Sequence, residues 1–317
     1  MTVTCDFCAH RCRIPEGRTG LCGVRRNSGG RLETTVYGAI QSAALDPIEK
    51  KPLYHFLPGT RVFSVALAGC NFRCRFCQNA SIAVPEQFPL PVAHWDADRL
   101  VAEWRASGTP AIAYTYSEPT VWQDYILDTA PGIRRAGGRV VMVTNGFLTP
   151  EATERLVEVV DAFNIDLKGD DEFYRQLCRG RMEPVLDTIR RVAPRRHLEV
   201  TTMLMPSRHS AETVEELRRA LVDAGVRVWH ISRFFPAWQM RDEPPTTEDQ
   251  VRSVLDGIAA TGDPPFIFAG NSRQSEYHQT RCPDCGTVCI DHRSPVRNLT
   301  DRGRCPGCGA RLYGVFE

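Results

Sequence analysis

Three cysteines lie in one short segment of the chain, Ala68-Gly69-Cys70-Asn71-Phe72-Arg73-Cys74-Arg75-Phe76-Cys77. The segment follows an apolar run, residues 62–68, that predicts a buried β-strand. Thiolates spaced in this way can hold three corners of a 4Fe–4S cluster, which ordinarily takes four cysteine ligands. Because no fourth cysteine follows nearby, the spacing predicts a cluster with one iron open to another ligand. The alternatives are a partial zinc site, although structural zinc normally has four protein ligands, and a chance grouping.

The residues after this segment alternate between strand-like and helix-like patterns. Short apolar runs predict six strands, at residues 62–68, 111–116, 140–144, 163–167, 198–204 and 226–231. Six strands each followed by a helix indicate a parallel sheet with right-handed crossovers. The span is too short for eight repeats, so we expect an α/β fold with a partial (β/α)6 barrel over residues 61–270. In such sheets ligands bind at the carboxyl ends of the strands.

Polar side chains stand at several of these predicted strand ends. They are Ser117 and Glu118 after the second strand, Thr144 and Asn145 after the third, Asp166 and Lys168 at the fourth, and His230 and Arg233 at the sixth. We expect all of them to share one pocket with the cysteines, with His230 and Arg233 as candidate catalytic residues. Each also has a structural interpretation as a turn, a cap, a surface pair or, for His230, a hydrogen-bonded histidine in the barrel wall. Lys50, Lys51 and His55 precede the first strand, in a loop that either covers the barrel mouth or is a solvated surface loop.

The composition is that of a globular protein with almost no net charge. Of the 317 residues, 42% are hydrophobic and 24% charged, with 39 Lys and Arg against 38 Asp and Glu. A net charge of +1 gives no general attraction for polyanions, so we do not expect a nucleic acid partner. No apolar run reaches the roughly 18 residues that suggest a membrane span, and residues 1–10 lack the order of a signal peptide. We therefore expect a cytoplasmic protein with no membrane partner.

All of the thirteen cysteines except Cys178 fall into three local groups, which favours metal sites in a reducing compartment. The C-terminal group has the spacing of a structural zinc site, in a predicted zinc ribbon of residues 271–317. The four cysteines with this spacing are Cys282, Cys285, Cys305 and Cys308, and Cys289 lies close by in the same group. A rubredoxin-like iron that carries electrons is the alternative. Cys178 is expected to be a small buried hydrophobe.

The N-terminal group lies in a cysteine-rich lead-in, residues 1–60. Its four cysteines are Cys5, Cys8, Cys12 and Cys22. Four thiolates can complete a zinc tetrahedron or hold a second iron–sulfur cluster, and His10 can substitute for one of them. We favour zinc, because the segment leads into the predicted barrel rather than flanking its pocket.

The central segment resembles the signature of the radical S-adenosylmethionine (SAM) superfamily, Cys-x3-Cys-x-aromatic-Cys, with Phe76 at the aromatic position. A closer resemblance, to the radical enzymes of the AmmeMemoRadiSam system, extends over nearly the whole chain. These are relatives of pyruvate formate-lyase activating enzyme. The resemblance is carried by Cys5-Asp6-Phe7-Cys8-Ala9-His10-Arg11-Cys12, Gly20-Leu21-Cys22-Gly23-Val24-Arg25, Asp46-Pro47-Ile48-Glu49-Lys50-Lys51-Pro52-Leu53-Tyr54-His55-Phe56, Cys77-Gln78-Asn79, Trp229-His230-Ile231-Ser232-Arg233-Phe234 and the terminal cysteine pairs.

The resemblance implies two cofactors and a reaction. A 4Fe–4S cluster on Cys70, Cys74 and Cys77 would bind SAM at its open iron, and reduction would release a 5′-deoxyadenosyl radical that abstracts hydrogen from a substrate. An external electron donor of the flavodoxin or ferredoxin type is implied as well. Phe76 would lie near the adenine, and Glu118 would accept a hydrogen bond from the methionyl amino group. The other expected cofactor contacts are Ser117, Thr144, Asn145, Asp166 and Lys168.

Three functions are compatible with these patterns. The first, which we favour, is a radical enzyme that acts on a small molecule or cofactor precursor. The second is an activase that installs a glycyl radical on a partner protein, a role suggested by the Asp166-x-Lys168 pair. The third, a non-catalytic zinc-ribbon binding module, leaves the polar residues at successive strand ends unexplained.

The central assignment predicts a measurable metal content. After anaerobic reconstitution, the central site should hold about four irons and give, on reduction, an EPR signal that SAM perturbs. Replacing Cys70, Cys74 and Cys77 together by alanine should abolish that signal. If a SAM-sensitive signal survived the triple replacement, the assignment would be wrong.

Overall fold

The computed structural model describes residues 1–84, 93–273, 276–294, 298–300 and 303–317. Its strands, in chain order, are β1 (Val3–Thr4), β2 (Arg13–Ile14), β3 (Arg25–Ser28), β4 (Arg31–Thr34), β5 (Ala39–Ile40), β6 (Ser42–Pro47), β7 (Arg61–Ala66), β8 (Ala93–His94), β9 (Ala111–Tyr114), β10 (Arg139–Thr144), β11 (Ala162–Asp166), β12 (His197–Leu204), β13 (Val228–Arg233), β14 (Phe266–Gly270), β15 (Gln279–Arg281) and β16 (Val288–Asp291). Within these ranges, no helix combines the length and apolar character needed to cross a membrane.

Helices connect the strands of the central sheet. They are α1 (Ala80–Ala83), α2 (Ala97–Ala106), α3 (Gln123–Arg135), α4 (Pro150–Val159), α5 (Asp171–Phe173), α6 (Glu183–Val192), α7 (Ala211–Asp223) and α8 (Glu248–Ala259). Side chains that accept a hydrogen bond from the amide three residues ahead fix the start of four of them, α2, α4, α7 and α8. These N-caps are Asp96, Thr149, Ser210 and Thr247. Short 3-10 turns form at Ile48–Lys50, Pro119–Trp122 and Glu276–His278, and a π-helical turn forms at Tyr174–Cys178.

The central sheet has eight strands in the order β14-β13-β12-β11-β10-β9-β7-β6. In this sheet, β7 and the strands β9 to β14 run parallel to one another. Strand β6 pairs antiparallel with β7 at the edge. The α/β fold with a mostly parallel sheet is therefore confirmed. The barrel contains one parallel strand more than predicted. That strand, β14, is a short apolar run between the turn-forming Pro265 and Gly270, a length at which periodicity gives little signal.

The amino-terminal halves of the barrel strands enclose a buried polar cluster around Glu199. The Glu199 carboxylate accepts hydrogen bonds from Nε2 of His197 (2.9 Å) and of His230 (2.6 Å) and from the backbone amides of Tyr54 (2.9 Å) and His55 (2.7 Å). Burial disfavours its charged form, but the two histidine hydrogen bonds outweigh burial and hold the pKa of Glu199 well below its usual value. Glu199 thus remains an anion in the barrel interior.

The expectation that His230 faces the same pocket as the cysteines is wrong. The sixth predicted strand ends at residue 231, one residue after His230. In the structure β13 continues to Arg233, so His230 lies three residues before the end of the strand. Its side chain is 2% exposed and directed to Glu199. A two-residue error in the end of a strand is enough to move a residue from the ligand-binding edge into the barrel interior. The structure therefore offers no support for His230 as a catalytic residue.

The C-terminal module, with β15 and β16, docks on this cluster through His55. Nδ1 of His55 lies 2.8 Å from the Tyr313 carbonyl oxygen and Nε2 lies 2.8 Å from Oγ1 of Thr280. Tyr313 in turn donates to and accepts from the backbone of Leu198 at the start of β12. His55 is fully buried, and burial lowers its pKa to about 4. Burial therefore favours the neutral form of His55 in the docked module.

Stability should fall on acidification because the pKa of His55 is depressed in the folded protein. Between its unfolded value near 6.5 and about 4, the unfolded chain binds more protons, so the free energy of unfolding decreases as pH falls. Within this window the decrease should approach about 1.4 kcal/mol per pH unit for this group. Anaerobic urea unfolding at pH 7.5 and 5.5 should show a smaller difference in His55→Gln than in the unaltered protein. His94→Gln, at an exposed histidine, is the control. An equal pH dependence in both variants would contradict the assignment.

Candidate active site

A cavity of about 560 Å³ opens at the carboxyl ends of the parallel strands. It brings together the three central cysteines and most of the polar residues expected there. The predicted site residues that line it are Cys70, Cys74, Cys77, Phe76, Ser117, Glu118, Thr144, Asn145, Asp166, Lys168 and Arg233. Of the residues predicted to face this pocket, His230 is the exception. The topology therefore gathers side chains from five strand ends into one site.

The cysteine loop follows β7 and is tied to its surroundings by backbone hydrogen bonds. Its entry at Gly69 has φ +104°, and a Cβ there would lie 2.8 Å from the Val24 methyl groups, so glycine is required. The amide of Arg73 donates to the Cys178 carbonyl (3.0 Å), and that of Arg75 donates to the Leu177 carbonyl (2.9 Å). The loop is thus held in place by the π-helical turn Tyr174–Cys178.

The central cysteines have the surroundings that a cluster needs. Cys70 Sγ accepts from the Phe72 amide at 3.3 Å and faces Nδ2 of Asn145 at 3.8 Å. Among the described residues, only the C-terminal cysteines offer three or more sulfurs that all lie within 4.8 Å of one another, so the central sulfurs are more widely spaced. That spacing exceeds what one metal ion allows and suits a cluster with a separate iron for each thiolate. These residues therefore fit a 4Fe–4S cluster.

The free thiols of this loop resist ionisation. Burial raises the pKa of Cys70 and raises that of Cys77 to about 11. The pKa of Cys74 is raised first by a hydrogen bond with the Cys178 thiol and then by burial. Metal binding must therefore displace protons from these thiols. Cys178 is buried, as predicted, and it lies beside a predicted cluster ligand.

Glu118 is buried beneath the cavity and joins two strand ends. Its Oε1 accepts from the amide (3.0 Å) and hydroxyl (2.6 Å) of Thr120 and from the Thr144 hydroxyl (2.5 Å), and its Oε2 accepts from the Asn145 amide (2.8 Å). Burial raises its pKa, while these donors oppose the shift. Within the part of the chain that the structure describes, Oε1 accepts three hydrogen bonds and Oε2 accepts one, so Oε2 keeps acceptor capacity for a ligand.

Ser117 and Phe76 are held by neighbouring side chains and backbone. Ser117 Oγ donates to the Leu67 carbonyl and accepts from Trp122 Nε1 at 3.2 Å. The Phe76 ring packs against Phe173, with 5.6 Å between the ring centroids. Both positions are therefore fixed before any ligand binds.

Asp166 and Lys168 form an ion pair at the end of β11, with 2.6 Å between Oδ2 and Nζ. Burial disfavours the ammonium ion, but the charge and the hydrogen bond of the Asp166 carboxylate oppose burial, and the pKa of Lys168 is raised well above its ordinary value. Lys168 is therefore a permanent cation close to the cysteine loop. Its partly exposed side chain lines the cavity.

Lys50 and Lys51 also line the cavity, whereas the sequence pattern left open whether their loop covers the barrel mouth or is solvated. Both pair with Asp46, at 2.8 Å each, and Lys51 Nζ also lies 4.2 Å from the centroid of the Tyr116 ring. Lys51 is 2% exposed, so it is not part of a solvated loop. His55, expected in the same loop, lies instead in the Glu199 cluster. The pairing of β6 with β7 creates this arrangement, and no local sequence pattern indicates it.

Arg233 and several uncharged residues complete the wall. Arg233 Nε donates to the Thr246 carbonyl (2.7 Å), and its Nη1 donates to Glu248 (2.6 Å). Sequence reasoning missed the other lining residues on this side, because they lie within strands or in loops without a recognisable motif. They are Asn164, Thr201, Met203, Ser232 and Asn271.

The C-terminal cysteines form a second candidate metal site. The Sγ atoms of Cys282 and Cys308, and those of Cys285 and Cys305, are 3.6 Å apart in each pair. All four Sγ atoms lie within 4.8 Å of one another, as a single tetrahedral ion requires. The module can therefore bind a metal. Zinc is the ion that we propose for it.

Comparisons with known proteins agree with this geometry. The model of the Radical SAM superfamily matches residues 65–232. An uncharacterized protein of Methanocaldococcus jannaschii is 35% identical over 98% of this chain and 95% of its own length. A second protein of that organism, provisionally named a glycyl-radical enzyme activating enzyme, is 24% identical over 60% of this chain and 81% of its own length.

A solved structure shares the fold. SuiB of Streptococcus suis bound to S-adenosylmethionine superposes with a TM-score of 0.54 at 11% sequence identity. The alignment covers 76% of this chain and 58% of the SuiB chain, so this protein spans less than two thirds of SuiB. The likeness is one of fold.

Glu118 should contribute measurably to stability through the donors that it satisfies. Glu118→Ala would leave the amide of Asn145 and the hydroxyl of Thr144 without this acceptor, and each unsatisfied buried donor costs about 1–3 kcal/mol. We expect urea unfolding to show a loss of at least about 2 kcal/mol. Glu151→Ala removes a carboxylate from an exposed pair with Arg11 and should lower stability far less, because solvent screens exposed ion pairs. Equal losses in the two variants would refute the structural role of Glu118.

Proposed function

The chain belongs to the radical SAM superfamily of enzymes, and we propose that it abstracts hydrogen from a small anionic molecule with a radical derived from SAM. The observation that carries the proposal is the single cavity at the strand ends. This cavity is lined by the three family cysteines and also by Lys50, Lys51 and Arg233. Ligand sites of about 300–1,000 Å³ are typical for small molecules.

A 4Fe–4S cluster with bound SAM would supply the 5′-deoxyadenosyl radical. Cys70, Cys74 and Cys77 would hold the cluster, and the free acceptor position of Glu118 Oε2 would face the methionyl amino group. Phe76 would pack near the adenine, with Thr144 and Asn145 closer to the ribose. The protein's contribution is to position these groups and exclude water, since the cofactors supply the reactive chemistry.

The charge of the cavity supports an anionic substrate. Apart from the cysteines, its ionisable lining side chains are the cationic Lys50, Lys51, Lys168 and Arg233 against the anionic Glu118 and Asp166. Glu118 is already engaged with Thr120, Thr144 and Asn145, and Asp166 with Lys168. Lys50 and Lys51 are in turn paired with Asp46, and Arg233 is paired with Glu248, so these three cations face two carboxylates. The one positive charge left over would attract a carboxylate or phosphate of the substrate.

An activase acting on a partner protein is the second candidate. It is favoured by the provisional name of the 24% identical relative and by the ion pair of Asp166 and Lys168. The volume of the cavity, about 560 Å³, favours a small molecule instead, because it lies in the range typical of small-molecule sites. The segment from Lys50 to His55 lines this cavity with Lys50, Lys51 and Pro52 and contacts Glu199 through the amides of Tyr54 and His55.

Deuterium transfer distinguishes the two candidates. Extracts of cells grown in deuterated medium are separated into small-molecule and protein fractions, and each is incubated anaerobically with the reconstituted protein, SAM and dithionite. We expect deuterium in the 5′-deoxyadenosine formed with the small-molecule fraction. Cys74→Ala should form none, and Arg233→Gln should form roughly tenfold less labelled product, the effect of losing about 1.4 kcal/mol of binding. Label that arises only with the protein fraction would favour the activase.

A further inference from the structure

The N-terminal cysteine segment flanks the active site rather than merely leading into the fold. The Ala9 amide donates to the Phe147 carbonyl (3.2 Å), and His10 Nε2 lies 2.9 Å from the Asn71 carbonyl oxygen within the central cysteine loop. Arg73 of that loop donates from Nη2 to the Leu21 carbonyl (2.6 Å) and from Nη1 to the Cys70 carbonyl (2.7 Å). The reason for favouring zinc in this segment is therefore removed.

Its four cysteines converge on one small void of their own. Cys5, Cys8, Cys12 and Cys22 all line it, together with the apolar side chains of Phe7, Ile14, Leu21 and Val121. Cys5, Cys8 and Cys22 are less than 9% exposed, whereas Cys285 and Cys308 of the C-terminal site are exposed. The N-terminal sulfurs thus lie in a dry, apolar environment.

The spacing of these sulfurs excludes a single zinc ion in this geometry. At about 2.3 Å from zinc, two bound sulfurs cannot be more than about 4.6 Å apart. Among the residues that the structure describes, no three of the N-terminal sulfurs lie within 4.8 Å of one another, whereas the four C-terminal sulfurs do. The N-terminal set shares its wider spacing with Cys70, Cys74 and Cys77. Both sets are therefore spaced more widely than a single ion requires.

A buried donor at the void also lacks a partner. Arg25 is 5% exposed and lines the void, with Nη1 donating to Thr34 (2.6 Å) and Asp124 (2.8 Å) and Nη2 to the Leu32 carbonyl (3.3 Å). Its Nε is buried and finds no acceptor among the described residues. Burial raises the pKa of Cys5, while a backbone hydrogen bond with Phe7, and then the charge and hydrogen bonding of the Arg25 guanidinium, oppose the shift, so the guanidinium lies close to that sulfur. Hydrogen bonds to sulfur are a principal means of setting cluster potentials.

We propose that Cys5, Cys8, Cys12 and Cys22 bind a second iron–sulfur cluster, with the Nε–H of Arg25 directed at one of its sulfurs. The donor set is complete, because cubane and [2Fe–2S] clusters both take four cysteines. The site is distinct from the SAM-binding one, which keeps an open iron. The assignment stands or falls independently of the substrate and of SAM cleavage.

The test uses the full chain with Cys70, Cys74 and Cys77 replaced by alanine, so that the central cluster cannot contribute. After anaerobic reconstitution, this triple variant should retain iron with a matching amount of acid-labile sulfide, and its reduced-state EPR signal should be insensitive to SAM. Adding Cys8→Ala and Cys22→Ala should remove that iron. Zinc bound by the C-terminal site should remain in both proteins and serves as the internal control for folding.

A second readout addresses Arg25. In the triple variant, Arg25→Lys keeps the positive charge but loses the Nε donor, so it should shift the reduction potential of the retained cluster. Arg26→Lys alters a neighbouring exposed arginine and should not. A triple variant that binds no iron, or that binds a second zinc lost with Cys8→Ala and Cys22→Ala, would overturn the proposal. A central SAM-sensitive signal absent from the unaltered protein would instead count against the proposed function alone.

Discussion

A buried carboxylate, that of Glu118, sets the geometry of the cavity. It joins the end of β9 to the end of β10 through Thr144 and Asn145. Asn145 then donates to Asn71 Oδ1 at 2.7 Å and faces the sulfur of Cys70, so the position of the cysteine loop depends on the same carboxylate. Because its donors are neutral hydroxyl and amide groups, burial dominates and the pKa of Glu118 stays raised.

A second buried carboxylate, that of Glu199, organises the opposite half of the barrel. It differs from Glu118 in having two imidazole partners, which hold its pKa low despite complete burial. One segment connects the two halves, since Lys51 lines the cavity and His55, four residues later, bonds to Glu199 through its amide. The ring of His55 then docks the C-terminal module. The segment that lines the cavity at Lys51 therefore also docks the C-terminal module through His55.

The sequence predicts the features of this molecule that are local. The strand runs are confirmed because each depends on residues close in the chain. His230 was misplaced because a strand end was uncertain by two residues. Lys51 and the contact of Cys178 with Cys74 were missed because they arise from pairing between segments far apart in sequence. The location of the N-terminal cysteines beside the active site is of the same kind.

The cysteine loop is held in shape by the segment that contains Cys178. The π-helical turn Tyr174–Cys178 ends at Arg179 in the left-handed region, at φ +58°. The turn presents the carbonyls of Leu177 and Cys178 to the amides of the loop. A Cβ on Gly180 would lie 2.4 Å from the Phe72 ring, so the chain after the turn packs directly on the loop. A rare backbone geometry is thus used where two cysteines must meet, in keeping with the frequent occurrence of π-turns at functional sites. Contacts with residues 177–180 therefore hold the cysteine loop in this shape.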